Sequence, residues 1–331
     1  MTDTTASNPN VALQNQLTKT PPSRSPWQDA WSRLLKNKAS VAGMIIILAF
    51  LFVMIFARSL APYSPIELHS GKDFLPPFWV EEASNGKSGS TEFLLGTDTL
   101  GRDLLSRVIY GTRVSLVVGF IPTFIIIVVG VFVGMVAGYR GGTWDNLLMR
   151  FTDVMYGFPD LLLFIIILVS LRDTWLGDFM NGLFLLFGAL AITNWVGVAR
   201  VVRGQVLSVK QKEFIEAARC IGATDSRIML RHIFPNVLGP IVVQISFSIP
   251  GMIITEAILG YLGLGLKPPT DPNAFFMTSW GSMLLEGQSS INANPYMLLI
   301  PAICVALVVL AFTFIGDGLR DALDPRMRGT Q

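Results

Sequence analysis

The chain has 331 residues, of which 51% are hydrophobic and 15% are charged, and its mean hydropathy is +0.54. A soluble domain carries about 25% charged residues, so this composition excludes a soluble globular protein and indicates a polytopic membrane protein. The net charge of +2 is too small to argue for nucleic acid as a partner. The two cysteines, Cys220 and Cys304, are too few for a disulfide framework or a cysteine-based metal site.

The first 40 residues form a polar N-terminal tail. Up to about residue 26 the tail is rich in Thr, Ser, Asn and Pro, and we expect it to be disordered. The stretch WQDAWSRLLKNK at 27–38 is amphipathic and predicts a helix that lies on the membrane surface, in contact with lipid. Because a long polar segment precedes the first apolar run, we expect residues 41–61 to be an uncleaved membrane anchor.

Six apolar runs are long enough to cross the hydrocarbon core. They lie at 41–57, 114–138, 154–171, 179–199, 238–260 and 297–315. The third run contains Asp160, but about ten strongly apolar residues at roughly −0.5 kcal/mol each outweigh one aspartate at roughly +3 kcal/mol. We therefore predict an extracytoplasmic loop at 62–113, a five-span core at 114–316 and a cytosolic tail at 317–331.

The distribution of basic residues predicts the orientation. Seventeen of the 25 lysines and arginines fall in the two termini, at 140–150 and in the 200–236 loop. Cytoplasmic segments carry the excess of lysine and arginine in membrane proteins. We therefore expect both termini and the 200–236 loop to be cytosolic.

The segment KQKEFIEAARCIGATDSRIMLRHIFPN, at 210–236, is the longest strongly charged stretch between two apolar runs. Phe214, Ala217, Ala218 and Ile221 recur at helical spacing, and Gly222 stands where a helix would stop. Two short helices with a break are therefore predicted, with Thr224 as a cap of the second, and Pro235 is expected to kink or restart the chain where it enters the next apolar run. Periodicity alone favours docking on a partner protein and lying on the lipid surface equally.

Three motifs in this chain resemble one family. Glu216-Ala217-Ala218, followed after three residues by Gly222, resembles the EAA loop of ABC importer permeases, here spanning about 204–236. The family usually has Ile and Leu before the proline, where this chain has His232 and Phe234, a form that resembles the oligopeptide and dipeptide branch. GTDTLGRD at 96–103 and GDGLRDALDP at 316–325 resemble two further signatures of the C-type permeases of that branch.

The resemblance implies an all-α type I ABC importer permease fold, with six transmembrane helices and a cytosolic coupling helix that fits a groove on an ATPase. It implies a second homologous permease subunit, two cytosolic ABC ATPase subunits, an extracytoplasmic peptide-binding protein and a peptide substrate, in the bacterial cytoplasmic membrane. The implied ATPase-coupling residues are Phe214, Glu216, Ala217, Ala218, Gly222, His232 and Pro235. Another peptide-like solute or a metal complex, such as glutathione or nickel, is the alternative cargo.

No GxxxxGK[ST] phosphate loop occurs in the sequence. We therefore expect a non-catalytic subunit with no cofactor of its own, and the resemblance assigns ATP and Mg to the partner ATPases.

Two acidic residues lie within the apolar runs, Asp160 and Glu256, and an ionisable residue in a span is a candidate for the transport pathway or its gate. For Glu256, a packing role and a gating role have equal support. In the 96–103 motif we expect at most an exposed Arg102–Asp103 pair, which contributes little.

Two other classes remain open. A secondary transporter would need coupling-ion groups at the midplane, usually on broken helices, and the sequence offers few polar groups there. An assembly subunit would bind partners without lining a pathway.

Overall fold

The computed structural model describes residues 26–269, 271 and 274–323. Within these residues the chain is helical, apart from loops and two isolated β-bridges. The tail up to residue 25 and the end of the GDGLRDALDP signature lie outside the described residues.

Twelve α-helices follow one another in the described residues: α1 (Pro26–Lys36), α2 (Lys38–Leu60), α3 (Leu104–Arg140), α4 (Gly142–Tyr156), α5 (Asp160–Leu171), α6 (Trp175–Asp178), α7 (Leu183–Lys210), α8 (Glu213–Cys220), α9 (Asp225–Arg227), α10 (Phe234–Tyr261), α11 (Trp280–Ser289) and α12 (Tyr296–Leu323). A 3-10 turn at Phe179–Gly182 precedes α7, and a π-helical segment at Ile228–Ile233 joins α9 to α10.

Five of the six predicted spans correspond to helices long and apolar enough to cross a membrane, namely α2, α3, α7, α10 and α12. The third predicted span, at 154–171, is interrupted, because α4 and α5 meet at an angle of 79°. Pro159 occupies the N-cap of α5, where its ring disfavours a helical conformation at the preceding Phe158. The bent pair is either one broken span or a re-entrant loop, so the described residues contain five spans, or six if this pair crosses the membrane. Asp160 begins a helix instead of lying inside one.

The α3 and α7 helices approach closely along a row of glycines at four-residue spacing. A Cβ added to Gly130 would lie 2.6 Å from Cβ of Val198, and one added to Gly134 would lie 2.5 Å from the carbonyl oxygen of Ala199. Small residues at this spacing let membrane helices pack backbone against backbone. The α3–α7 pair is thus the centre of the larger of two hydrophobic cores.

The predicted N-terminal amphipathic helix is present as α1, and Asn37 separates it from α2. The Asn37 side chain accepts hydrogen bonds from the backbone N–H groups of Ala39 and Ser40, at 3.0 and 3.3 Å. Leu34 is buried against α12, next to Gly318, whereas Trp31 remains half exposed. The helix therefore uses its leucine to dock and leaves a tryptophan outside, as expected for a surface-lying helix.

The helix α11 lies between the last two spans, α10 and α12. Trp280 at its start is fully buried, and its Nε1–H donates to the carbonyl of Val108 in α3 at 3.1 Å. Gly111 leaves room for this indole, since a Cβ there would lie 2.8 Å from it. The second hydrophobic core is built around this contact and includes residues of α2, α3, α10, α11 and α12.

Candidate coupling segment and membrane cavity

The break predicted after the first short helix of the 210–236 segment is present at Gly222. This residue has φ +77°, in the left-handed region that glycine adopts at little cost. Its N–H donates to the carbonyl of Arg219 at 2.9 Å, and that of Ala223 donates to Ala218 at 3.0 Å. No atom crowds Gly222, so backbone conformation alone requires glycine here.

The two faces of α8 differ in burial. Ile215 and Ala218 are 0% and 4% exposed and belong to the larger core. Phe214 is 43% exposed, Ile221 is 86% exposed, and Ala217 lies with them on the outside. The predicted apolar stripe therefore divides: Ala218 faces the protein body, whereas Phe214, Ala217 and Ile221 form an outward apolar face with no partner among the described residues.

Tyr139, at the end of α3, holds the short helices against the long ones. Its hydroxyl donates to Oδ1 of Asp225 in α9 at 2.6 Å, and its carbonyl accepts a hydrogen bond from the ammonium of Lys210 at the end of α7. The guanidinium of Arg219 in α8 lies 5.9 Å from the centre of its ring. Sequence reasoning missed Tyr139, although an aromatic residue beside Arg140 at the end of an apolar run was a visible signal.

The remaining predicted coupling residues are spread around this anchored segment. Glu216 is exposed on α8 and makes no ion pair within the described parts of the chain. His232 is half buried in the π-helical segment, and its carbonyl accepts a hydrogen bond from the Asn236 amide at 2.6 Å. Pro235 lies exposed in the first turn of α10, where its missing N–H is not needed.

A cavity of about 310 Å³ lies between the α4–α5 break, α7 and α10. The polar residues that line it are Tyr156, Asp160, Thr193, Asn194, Gln244 and Ser248. The predicted scarcity of polar groups within the spans is therefore wrong for this part of the bundle. It was misjudged because only charged residues were counted, and four of these side chains are neutral amides and hydroxyls on apolar helices.

Glu256 lies elsewhere. It is fully buried on α10, its Oε2 accepts a hydrogen bond from the Ser115 hydroxyl of α3 at 3.3 Å, and Gly281 of α11 packs against it. It does not line the cavity that contains Asp160. Its contacts with α3 and α11 support a packing role, its Oε1 has no hydrogen-bond partner among the described residues, and the packing and gating roles of Glu256 both stay predictions.

The 96–103 motif contributes to a buried charge network on the opposite side of the bundle from α8. Nε of Arg102 lies 2.6 Å from Oδ2 of Asp98, which also contacts Arg107 of α3. Both arginines reach Glu286 of α11, with nitrogen–oxygen distances of 2.9 and 2.5 Å. The predicted exposed pair of Arg102 with Asp103 is thus wrong: Arg102 pairs with Asp98 and Glu286, and Asp103 instead caps α3 by accepting from the Ser106 N–H. Burial raises the pKa of the Asp103 carboxyl above its ordinary value.

Comparison with known protein families agrees with this architecture. The family described as "Binding-protein-dependent transport system inner membrane component" matches residues 130–329, more than half of the chain. This chain belongs to that family. A second family, described as "N-terminal TM domain of oligopeptide transport permease C", matches residues 25–77 and so covers α1, α2 and the start of the loop that follows α2.

Curated relatives of this inner membrane component align over nearly its whole length. The oligopeptide transport system permease protein OppC of Haemophilus influenzae is 41% identical, over 92% of this chain and 90% of the relative. The dipeptide transport system permease protein DppC of Bacillus subtilis is 40% identical, over 93% and 88%. The glutathione transport system permease protein GsiD of Escherichia coli is 38% identical, over 92% of each.

Among solved structures, a chain of the MetNI methionine ABC transporter, in an inward-facing crystal form, is similar with a TM-score of 0.52. The alignment covers 67% of this chain and 98% of that chain at 18% identity, which shows a shared fold. The predicted all-α ABC importer permease fold is therefore confirmed. The inner membrane component is the multi-pass membrane subunit of an ABC importer, and the secondary-transporter and assembly-subunit alternatives are set aside.

Proposed function

We propose that this chain and a second homologous permease subunit together form the translocation pathway of an importer for oligopeptides or dipeptides. Two cytosolic ATPase subunits that bind ATP and Mg drive it, and an extracytoplasmic peptide-binding protein supplies the peptide. The relatives named for oligopeptide and dipeptide transport support this substrate class. The excess of basic residues supports cytosolic termini in a bacterial cytoplasmic membrane.

The single observation that carries the proposal is the two-faced helix α8. Its outward face, formed by Phe214, Ala217 and Ile221, is apolar and exposed, and covering one such side chain stabilises a contact by roughly 2 kcal/mol. Glu216 adds a charge beside that face. We assign this face to a groove on an ATPase subunit.

The inward face of α8 couples this helix mechanically to the membrane helices, so that α8 acts as a lever. Ile215 and Ala218 pack in the same core as Ile228 and Ile233 of the segment that leads into α10. Tyr139 ties α8 and α9 to the ends of α3 and α7. A displacement of α8 by the ATPase therefore moves α3, α7 and α10 together, and the last two of these line the cavity in the bundle. Packed helices switch between discrete arrangements, which provides inward- and outward-open states.

Glutathione is a second candidate cargo, favoured by the 38% identity to a permease named for glutathione transport. Uptake of a labelled tripeptide by the assembled complex, in competition with glutathione or with unlabelled dipeptides and oligopeptides, distinguishes the two. Stronger inhibition by glutathione than by any ordinary peptide would identify the second candidate.

The lever is tested by replacing Gly222 with valine. A β-branched residue in the left-handed region costs about 1–2 kcal/mol or more, so the chain leaves that conformation and the angle after α8 changes. We expect Gly222→Val to reach the membrane and bind its partners, with peptide uptake reduced at least about ten-fold, a loss of coupling of about 1.4 kcal/mol. Glu216→Lys, which reverses the charge beside the docking face, is expected to reduce uptake in the same assay.

Gly204→Val is the matched control. Gly204 is also exposed with open space around it, but it has no positive φ and lies within α7. Uptake at the wild-type rate in both Gly222→Val and Glu216→Lys would rule out the lever.

A further inference from the structure

The cavity beside Asp160 lies near the middle of the helices that form it. Asn194 is 11 residues into the 28-residue α7, and Gln244 is 10 residues into the 28-residue α10. At 1.5 Å per residue these positions are about 15 Å from the N-terminal ends of the two helices, a distance equal to half the thickness of a hydrocarbon core of about 30 Å. The third wall is the α4–α5 break, where Asp160 begins α5.

Several polar groups in this cavity have no partner. Thr193 is only 5% exposed, yet its hydroxyl makes no hydrogen bond in the described residues. The hydroxyls of Ser246 and Thr255, also on a spanning helix, instead donate to a carbonyl four residues earlier, at 3.0 and 2.9 Å. Neither Gln244 nor Asp160 has a hydrogen bond or ion pair elsewhere in the described parts of the chain.

The Asn194 amide uses only part of its hydrogen-bonding capacity: its Nδ2 donates to the carbonyl of Leu190 at 2.7 Å, and its Oδ1 is available to a ligand. A buried polar group without a partner costs roughly 1–3 kcal/mol, so the Thr193 hydroxyl indicates a partner that is present only part of the time. Asn194 and Gln244 are half-buried and Asp160 is exposed, and they add further hydrogen-bonding groups to the same cavity.

We propose that this cavity is a binding site for the main chain of a peptide in transit, an inference that rests on the proposed function. The side chains of Thr193, Asn194 and Gln244 hydrogen-bond the peptide amide groups, which every peptide shares. The Asp160 carboxylate accepts the N-terminal ammonium. The remaining walls, such as Val196 and Met252, are apolar, and the unbranched Met252 side chain can adapt to varied peptide side chains.

The chemistry of the cavity favours a peptide over other small solutes. Amide and hydroxyl side chains supply both donors and acceptors, and they match peptide groups without imposing a charge. A volume of about 310 Å³ is at the lower end of the 300–1,000 Å³ range of small-molecule sites, so the site holds one or two residues of a chain at a time. The competing occupant is a side chain of the second permease subunit.

The first test removes single hydrogen-bonding groups with little change of shape. In the complete complex in proteoliposomes, with peptide-loaded binding protein, we expect Thr193→Val and Gln244→Leu each to lower trialanine uptake per ATP hydrolysed by about five-fold, the effect of one lost hydrogen bond. Total ATP hydrolysis and co-purification of the partner subunits should match wild type. Thr123→Val is the matched control, because Thr123 is likewise buried, at 3% exposed, with an unpaired hydroxyl, but lies on α3, outside the cavity.

The outcomes separate the alternatives. Wild-type uptake per ATP in both variants, or an equal loss in Thr123→Val, would overturn the site while leaving peptide import intact. Loss of the second permease from the variant complexes would show that the cavity is a subunit interface. No trialanine uptake by the wild-type complex, with transport of a different solute, would overturn the proposed function as well.

A second test locates the bound peptide by crosslinking it to engineered cysteines. In a chain carrying Cys220→Ser and Cys304→Ser, Ser248→Cys puts a thiol on the cavity wall, and Ser246→Cys puts one on the same helix outside it. Trialanine bearing a thiol-reactive group at its C-terminus should crosslink to the first variant during ATP turnover and not to the second. Equal crosslinking at both positions, or none at Ser248→Cys while transport proceeds, contradicts the site.

Discussion

At the scale of single residues, burial divides the ion pairs of this chain into two kinds. The Asp98 side chain is 0% exposed and contacts Arg102 and Arg107, the latter 4% exposed. Asp153 is 68% exposed and pairs with Arg200 at 2.7 Å on the surface of α4 and α7. A buried charge that loses its partner is costly, whereas an exposed pair is weakened by solvent.

The same substitution at the two positions tests this difference. Asp98→Asn leaves Arg107 buried with only Glu286 to balance it, and we expect a loss of about 3 kcal/mol in unfolding free energy. Asp153→Asn should cost at most about 1 kcal/mol. Thermal unfolding of the detergent-solubilised complex measures both, and equal shifts in the two variants would show that the network around Asp98 contributes no more than a surface pair.

At the scale of elements, α8 is the clearest case of a helix whose two apolar faces have different tasks. Its inward residue Ile215 is fully buried, and its outward residue Phe214 is 43% exposed, although they are neighbours in sequence. We propose that the inward face transmits movement to the membrane helices and that the outward face binds an ATPase subunit.

Alanine substitutions separate the two faces. Ile215→Ala should destabilise the membrane subunit by about 2–5 kcal/mol, because it leaves a cavity in the larger core. Phe214→Ala should leave the unfolding temperature of the isolated subunit nearly unchanged and weaken binding of the ATPase subunits, measured by co-purification. Normal ATPase binding by Phe214→Ala would contradict the assignment of the outward face.

At the scale of the whole molecule, the native cysteines report the orientation. Cys220 is exposed on α8, whereas Cys304 is partly buried within the apolar helix α12. We expect a membrane-impermeant maleimide to label Cys220 in inside-out vesicles and not in intact cells, because the basic residues predict a cytosolic α8.

Added ATPase subunits should protect Cys220 if α8 is the docking helix. Cys220→Ser serves as the control for labelling at Cys304. Labelling of Cys220 in intact cells would place α8 outside the cytosol and would end both the orientation and the coupling proposal.

The sequence by itself determined five of the spans, the break at Gly222 and the family. Each depends on local information: the length of an apolar run, a glycine that accepts the left-handed conformation, or a short motif such as Glu216–Gly222.

Only the tertiary structure decided which apolar residues are buried and which polar residues meet. Periodicity placed Phe214 and Ala218 on one stripe, but burial of Ala218 depends on the distant segments that pack against it. Likewise Thr193 and Gln244 are 51 positions apart and become one cavity wall only when α7 and α10 pack together. Burial and juxtaposition are properties of contacts between distant parts of the chain, so no local pattern contains them.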